Sequence, residues 1–150
     1  MDEGEDSHRA YKVGSAFLAT LLSHRARWQY LSLCLAGFPH RSSYPCIGGP
    51  MPLLQHLDSD LAIGTGWPEF SFVEAPLLRT AILNNYAATH IILPWAQLTS
   101  LTLNTVYLQE CVPILQQAAN LTRCELELLD PNFYGTSVGD VTLPFLESLT

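Results

Sequence analysis

Leu98-Thr-Ser-Leu101-Thr-Leu103 is the stretch on which the fold reading turns. Leu101 and Leu103 alternate with polar neighbours, the period of two expected of a strand that buries one face. Five further segments read alike: Trp28-Gln-Tyr-Leu31-Ser-Leu33, Leu54-Gln-His-Leu57, Leu78-Arg-Thr-Ala81-Ile-Leu83, Leu121-Thr-Arg-Cys124-Glu-Leu126 and Leu146-Glu-Ser-Leu149. In chain order the six starts lie 26, 24, 20, 23 and 25 residues apart. Leucine occurs 26 times in 150 residues. A strict LxxLxL pattern is therefore expected about 0.8 times by chance, and only the segment at Leu98 is strict. The even spacing carries more weight than the motif. So does a shared approach, because Pro52, Pro76 and Pro144 each stand two residues before a first leucine. Proline there is read as fixing an extended approach and blocking helix continuation. The alternative is a leucine-rich globular domain that looks periodic by accident.

Between the segments, Ser15 to Arg27 sets Phe17, Leu18, Leu21 and Leu22 on one stripe and predicts an amphipathic helix. Tyr107 to Ala119 predicts a second, with Leu108, Val112 and Leu115 inward; Pro113 must lie in its first turn or kink it. Gly37 to Pro52, Gly64 to Pro68 and Asp130 to Gly139 read as loops. Ile91-Ile-Leu-Pro-Trp95 and Val141-Thr-Leu-Pro-Phe145 look like two copies of one lead-in, a short β segment ended by proline and an aromatic anchor. The expected organisation is an acidic, disordered tail over 1–14 and one domain over 15–150 of about six irregular repeats.

Composition narrows the function classes. Charged residues make up 14% of the chain and apolar ones 48%, so the surface is poor in charge against the roughly 25% charged residues of ordinary domains. Asp2, Glu3, Glu5 and Asp6 supply four charges of the net -7. The seven Lys and Arg residues are scattered singly, which excludes the basic stripe that nucleic acid requires. Val13 to Leu22, the only candidate targeting segment, is about half a membrane span and reads as a core helix. No membrane partner is expected. With no secretory signal, the chain reads as intracellular, cytoplasmic or nuclear, and Asn120-Leu-Thr122 as a chance glycosylation match. Cys34, Cys46, Cys111 and Cys124 form no CxxC pair and read as reduced, packed thiols.

A short strand alternating with a helix or loop at a period of roughly 20 to 29 residues is the pattern of leucine-rich repeats. The expected fold class is α/β: an irregular leucine-rich-repeat solenoid of short parallel strands alternating with helices or loops, incomplete at its C-terminal end. More specifically, the chain resembles the leucine-rich-repeat region of F-box proteins from mushroom-forming (basidiomycete) fungi. The residues that carry the resemblance are Arg27-Trp28 entering Leu31-Ser-Leu33, Ala75-Pro-Leu-Leu-Arg79, and Leu93-Pro-Trp95 leading to Leu98-Thr-Ser-Leu101-Thr-Leu103. Glu110-Cys111 through Ala119-Asn-Leu121 to Cys124, and Thr142-Leu-Pro144 before Leu146-Glu-Ser-Leu149, complete it. The resemblance implies the substrate-recognition part of a Skp-cullin-F-box ubiquitin ligase. No F-box counterpart precedes Ser15, so a Skp-type adaptor is a partner only if an F-box lies outside this chain. Ala36, Ala62, Tyr86, Val106 and Leu129 occupy the slot eight residues after each first leucine where the family carries Asn or Cys, so no regular Asn ladder is expected. The stop at Leu149-Thr150, within a strand, reads as a fragment, a truncated gene product or a degenerate paralogue.

With the leucines inward, the residues between them line the concave face. The candidate binding residues are Tyr30 and Ser32; His56, Asp58 and Asp60; Thr80, Ile82 and Asn84; Ser100, Thr102 and Asn104; and Arg123, Glu125 and Glu127, with Tyr30 and Arg123 as anchors. A solvated face that binds nothing is the alternative. Asp58-Ser-Asp60 does not continue into a calcium loop, and His24, His40, His56 and His90 lack zinc-ligand spacing. No cofactor or metal is expected. No GxSxG elbow or phosphate-cradling loop is present, and Trp28, Trp67 and Trp95 read as core or cap residues. The expectation is a non-enzymatic module that recognises a protein. A stand-alone scaffold without a ubiquitin link is the nearest alternative, and a small hydrolase with a dispersed site the remote one.

Overall fold

The computed structural model describes residues 16–35, 46–62, 70–129 and 140–150. The acidic tail and the loop positions 37–45, 64–68 and 130–139 lie outside the described residues, as do His40 and Trp67. Residues 16–23 form a helix, α1. The elements that follow are β1 (Tyr30–Leu35), β2 (His56–Leu61), β3 (Phe70–Ser71), β4 (Thr80–Asn84), α2 (Asn85–His90), β5 (Ile91–Ile92), β6 (Ser100–Val106), α3 (Leu108–Gln117), β7 (Arg123–Leu128) and β8 (Ser148–Leu149). Six of the strands form one sheet in the order β1-β2-β4-β6-β7-β8. Every pair in it is parallel, so the fold is α/β with a parallel sheet flanked by helices. A second, two-stranded parallel sheet joins β3 to β5, and Ile47 extends it by a bridge to Phe70.

The six sequence segments map one to one onto the six sheet strands, and their backbones repeat as well. The first apolar residue of each donates its N–H to the carbonyl three residues earlier: Trp28 to Arg25, Leu54 to Met51, Leu78 to Ala75, Leu98 to Trp95, Leu121 to Ala118 and Leu146 to Leu143, all at 3.1–3.3 Å. The carbonyl of the next residue then accepts two successive N–H groups of the following segment. Gln29 receives Gln55 and His56, Gln55 receives Arg79 and Thr80, Arg79 receives Thr99 and Ser100, Thr99 receives Thr122 and Arg123, and Thr122 receives Glu147 and Ser148. Each segment thus sets the register of its successor. This corrects the reading of the prolines. Pro52, Pro76 and Pro144 occupy the second position of a tight turn, where the ring's fixed φ favours the turn, and not an extended approach. At Arg25–Arg27 and Trp95–Gln97 a 3-10 turn does the same work without proline in that position.

The inward rows form the core. Leu31, Leu57, Ala81, Leu101, Cys124 and Leu149 share one register row, and Leu33, Ser59, Leu83, Leu103 and Leu126 the next. The middle strands bury these rows completely, whereas Leu31 is half-buried and Leu149 is 63% exposed. Each buried leucine contributes about 2 kcal/mol by leaving water, so the stabilisation is concentrated in β2, β4 and β6.

The predicted helices shift. The first ends at residue 23 and gives way to the 3-10 turn before Trp28. The second spans Leu108–Gln117, and at its start the Glu110 carboxylate accepts from the Tyr107 N–H at 3.3 Å. Pro113 falls in its second turn, so the Gln109 carbonyl loses its usual i+4 donor there. α2, for which no sequence signal was read, is opened by the Asn84 side chain accepting from Ala87 N–H at 2.9 Å. Of the two lead-ins, Ile91–Ile92 is a strand, while residues 141–143 form none because no neighbouring strand pairs with them among the described residues.

Candidate functional site

The sheet's second face stays open to solvent, and the register sorts its side chains into rows that cross the strands. Tyr30, His56, Thr80, Ser100 and Arg123 make the first row, with Ser148 at its end. Ser32, Asp58, Ile82, Thr102 and Glu125 make the second. In the third, Cys34 pairs with Asp60 and Asn84 with Asn104. All fourteen residues singled out from the sequence therefore lie on one face, because alternation fixes which side of a strand each residue takes.

Glu127 lies on β7 beside a break in that alternation. Between Leu103 and Val106, β6 carries one residue more than its partner, a bulge centred on Thr105 at φ 55°. The left-handed backbone is strained for a β-branched residue. Its effect is to turn Val106 inward, where it is fully buried.

Several of these side chains are held. Tyr30 and His56 stack, their rings 4.3 Å apart and 9° from parallel. The Ser32 hydroxyl donates to the Asp58 carboxylate at 3.4 Å. Asn84 is engaged on both sides of its amide: Oδ1 accepts from the Leu61 N–H at 3.3 Å and from Ala87, while Nδ2 donates to the Leu61 carbonyl at 2.8 Å and to Asp60. Asn84 is thus a clamp between β2, β4 and α2. Thr99 and Thr122 bridge successive segments similarly, through hydroxyls on the Arg79 and Thr99 carbonyls. Ordered side-chain ties to the preceding segment exist, but not at the slot where an Asn ladder would stand.

Between β1 and β6 the face sinks into a depression of about 490 Å³ lined by Ser32, Cys34, Asp58, Asp60, Ile82 and Asn84 and reaching Thr105. Among the described residues Asp58, Asp60, Glu125 and Glu127 put four carboxylates on this face against the guanidinium of Arg123. Among the described residues none of the four is ion-paired. Cys34 was not singled out for the face from the sequence, although alternation from Tyr30 and Ser32 leads directly to it; the cysteines were read as packed. That reading holds for Cys111 and Cys124, which are buried, and not for Cys34 and Cys46, which are exposed. Burial pushes the Cys124 thiol up from 9.0 to about 11, with the nearby Cys111 and Glu125 adding to the shift. Cys111 is raised for the same reason.

Ser32 is bonded to a carboxylate, and His56 presents its ring to Tyr30 while its Nε2 is buried without a partner among the described residues. Among the described residues no three His, Cys, Asp or Glu side chains converge on a point that could hold a metal ion. None of the described helices is long and apolar enough to cross a membrane. Comparison of the chain with known protein families, with curated proteins and with solved structures finds no match in any of the three.

Proposed function

We propose that this chain is a non-catalytic protein-recognition module, an irregular leucine-rich-repeat solenoid that resembles the substrate-binding part of a Skp-cullin-F-box ubiquitin-ligase receptor. The observation that carries the reading is the open face of the parallel sheet. Five strands hold Tyr30, Asp58, Ile82, Thr102, Arg123 and Glu125 in register rows, with an exposed aromatic at one side and charges at the other. Stacked repeats bury a continuous core and leave one extended surface of this kind, which repeat proteins use to bind partners. The repeated turn and the doubly accepting carbonyl support the solenoid part of the reading. Exposed aromatic and arginine side chains such as Tyr30 and Arg123 are the types that anchor protein interfaces.

The test compares partner capture by the full chain with capture by two variants. Thr102→Arg places a bulky charge at the centre of the face, and Thr89→Arg places the same charge at an exposed position of α2. Loss of the captured protein with Thr102→Arg and retention with Thr89→Arg is the expected result. Equal capture by both would sink the reading. Labelling Cys34 with a bulky maleimide, with Cys34→Ser as the control for other thiols, should block the same partner. Co-isolation of a Skp-type adaptor and ubiquitination of the partner test the ligase link. A partner held without either leaves a scaffold that has no ubiquitin role.

A further inference from the structure

The acidic side chains of the open face fall into two pairs. Asp58 and Asp60 stand on β2 and Glu125 and Glu127 on β7, while the intervening β4 and β6 carry no charge. Along the second row the order is Asp58, Ile82, Thr102, Glu125. Neighbouring strands lie about 4.8 Å apart, so three spacings put the pairs about 14 Å from each other. An extended chain rises about 3.4 Å per residue and sends residues i, i+2 and i+4 to one side, so four residues also span about 14 Å.

We propose that the face takes an extended segment of a partner protein lying across the strands, with Lys or Arg at its first and fifth positions and an apolar side chain at its third. The first cation meets Asp58 and Asp60, the apolar group rests on Ile82 and the Thr102 methyl, and the second cation meets Glu125 and Glu127. This rests on the face being the recognition surface proposed above, and adds what it recognises.

Charge complementarity selects this occupant. Among the described residues Asp58 accepts from Ser32 and Asp60 from Asn84, and a carboxylate has about four acceptor sites, so both keep lone pairs for an incoming cation. Arg123 sits in the first row beside Ser100, which leaves the cations of the segment in the second and third rows. An acidic segment would meet like charges at both ends of its path, a juxtaposition that suppresses wrong partners. The depression between β1 and β6 supplies room for the first cation and the apolar group.

The probe is a fluorescent peptide, Gly-Lys-Thr-Leu-Thr-Lys-Gly, titrated with the full chain and read by anisotropy. Saturable binding is expected, weakened about 10-fold by the near-isosteric pair Asp58→Asn and Asp60→Asn and about as much by Glu125→Gln and Glu127→Gln. Raising salt to about 0.5 M should weaken it further. A peptide of the same composition with its lysines adjacent should bind like the neutralised variants. Equal binding of the two peptides by the unaltered chain overturns the proposal, and that comparison needs no variant to fold. If the spaced peptide fails to bind while Thr102→Arg still abolishes partner capture, the face remains a recognition surface and this segment is the wrong occupant. If neither responds, both readings fall.

Discussion

Asn84 shows how a side chain on an exposed face can belong to the fold. Its amide caps α2 and ties both backbone groups of Leu61, 23 residues earlier, to β4. Asn84→Ala removes a helix cap and unties a strand, and should cost about 2 kcal/mol, read as a drop in Tm, whereas Thr80→Ala on the same strand should leave Tm nearly unchanged. Ser59 is the reverse case. Its hydroxyl is buried between Leu33 and Leu83 with no partner among the described residues, so Ser59→Ala should stabilise by about 1 kcal/mol in denaturant titration; a loss would mean the hydroxyl is satisfied. Cys124 sets a pH limit. Its thiol ionises near 9.0 when unfolded and near 11 when folded, so the folded state keeps a proton that the unfolded state releases. Stability is then intact below pH 9 and falls as pH rises from 9 to 11, and Cys124→Val should flatten that fall in Tm measured across the same range. Alternation along β7 already places Cys124 inward. Asn84's tie to Leu61 could not be read, because the sequence does not say which backbone groups another strand leaves unpaired.

At the scale of elements, period two identified the six strands of the main sheet but not the two-residue β3, since a half-buried strand writes its alternation into four or five residues. Short helices write much less. α2 has six residues, fewer than two turns, and its one local sign is Asn84 followed by Asn-Tyr-Ala-Ala. The Thr105 bulge is invisible for a related reason: one extra residue shows only against the partner strand. α3 was legible in Val112 and Leu115, which are buried, whereas Leu108, expected inward, lies 43% exposed at its first position; Pro113 was resolved only by the structure, which holds it in the second turn. There it withholds an N–H from the Gln109 carbonyl on an exposed stretch. Pro113→Ala restores that donor and should raise stability by about 2 kcal/mol, scored by thermal unfolding with α3 helicity unchanged or greater. A destabilised variant would show that proline is required for the helix path.

For the whole molecule, the core is complete in the middle of the sheet and thin at its ends. Trp28 and Leu146 are half-buried where the equivalent Leu54, Leu78, Leu98 and Leu121 are fully enclosed. At β8, Leu149 is 63% and Phe145 59% exposed, and among the described residues no strand pairs with the outer edge. Open edges with apolar side chains template further pairing, so sedimentation should show association that grows with concentration and that Leu149→Lys suppresses; a monomer at high concentration in the unaltered chain counts against it. The sequence by itself determined the six strands of the main sheet, the side of each that faces inward and most of the residues on the open face, because these follow from spacing and alternation along the chain. Only the tertiary structure decided that the prolines sit inside turns, that each carbonyl at a strand's start holds two N–H groups of the next segment, and that Asn84 is a clamp. The last two depend on which groups meet across 20 or more residues, and no local pattern encodes such a meeting.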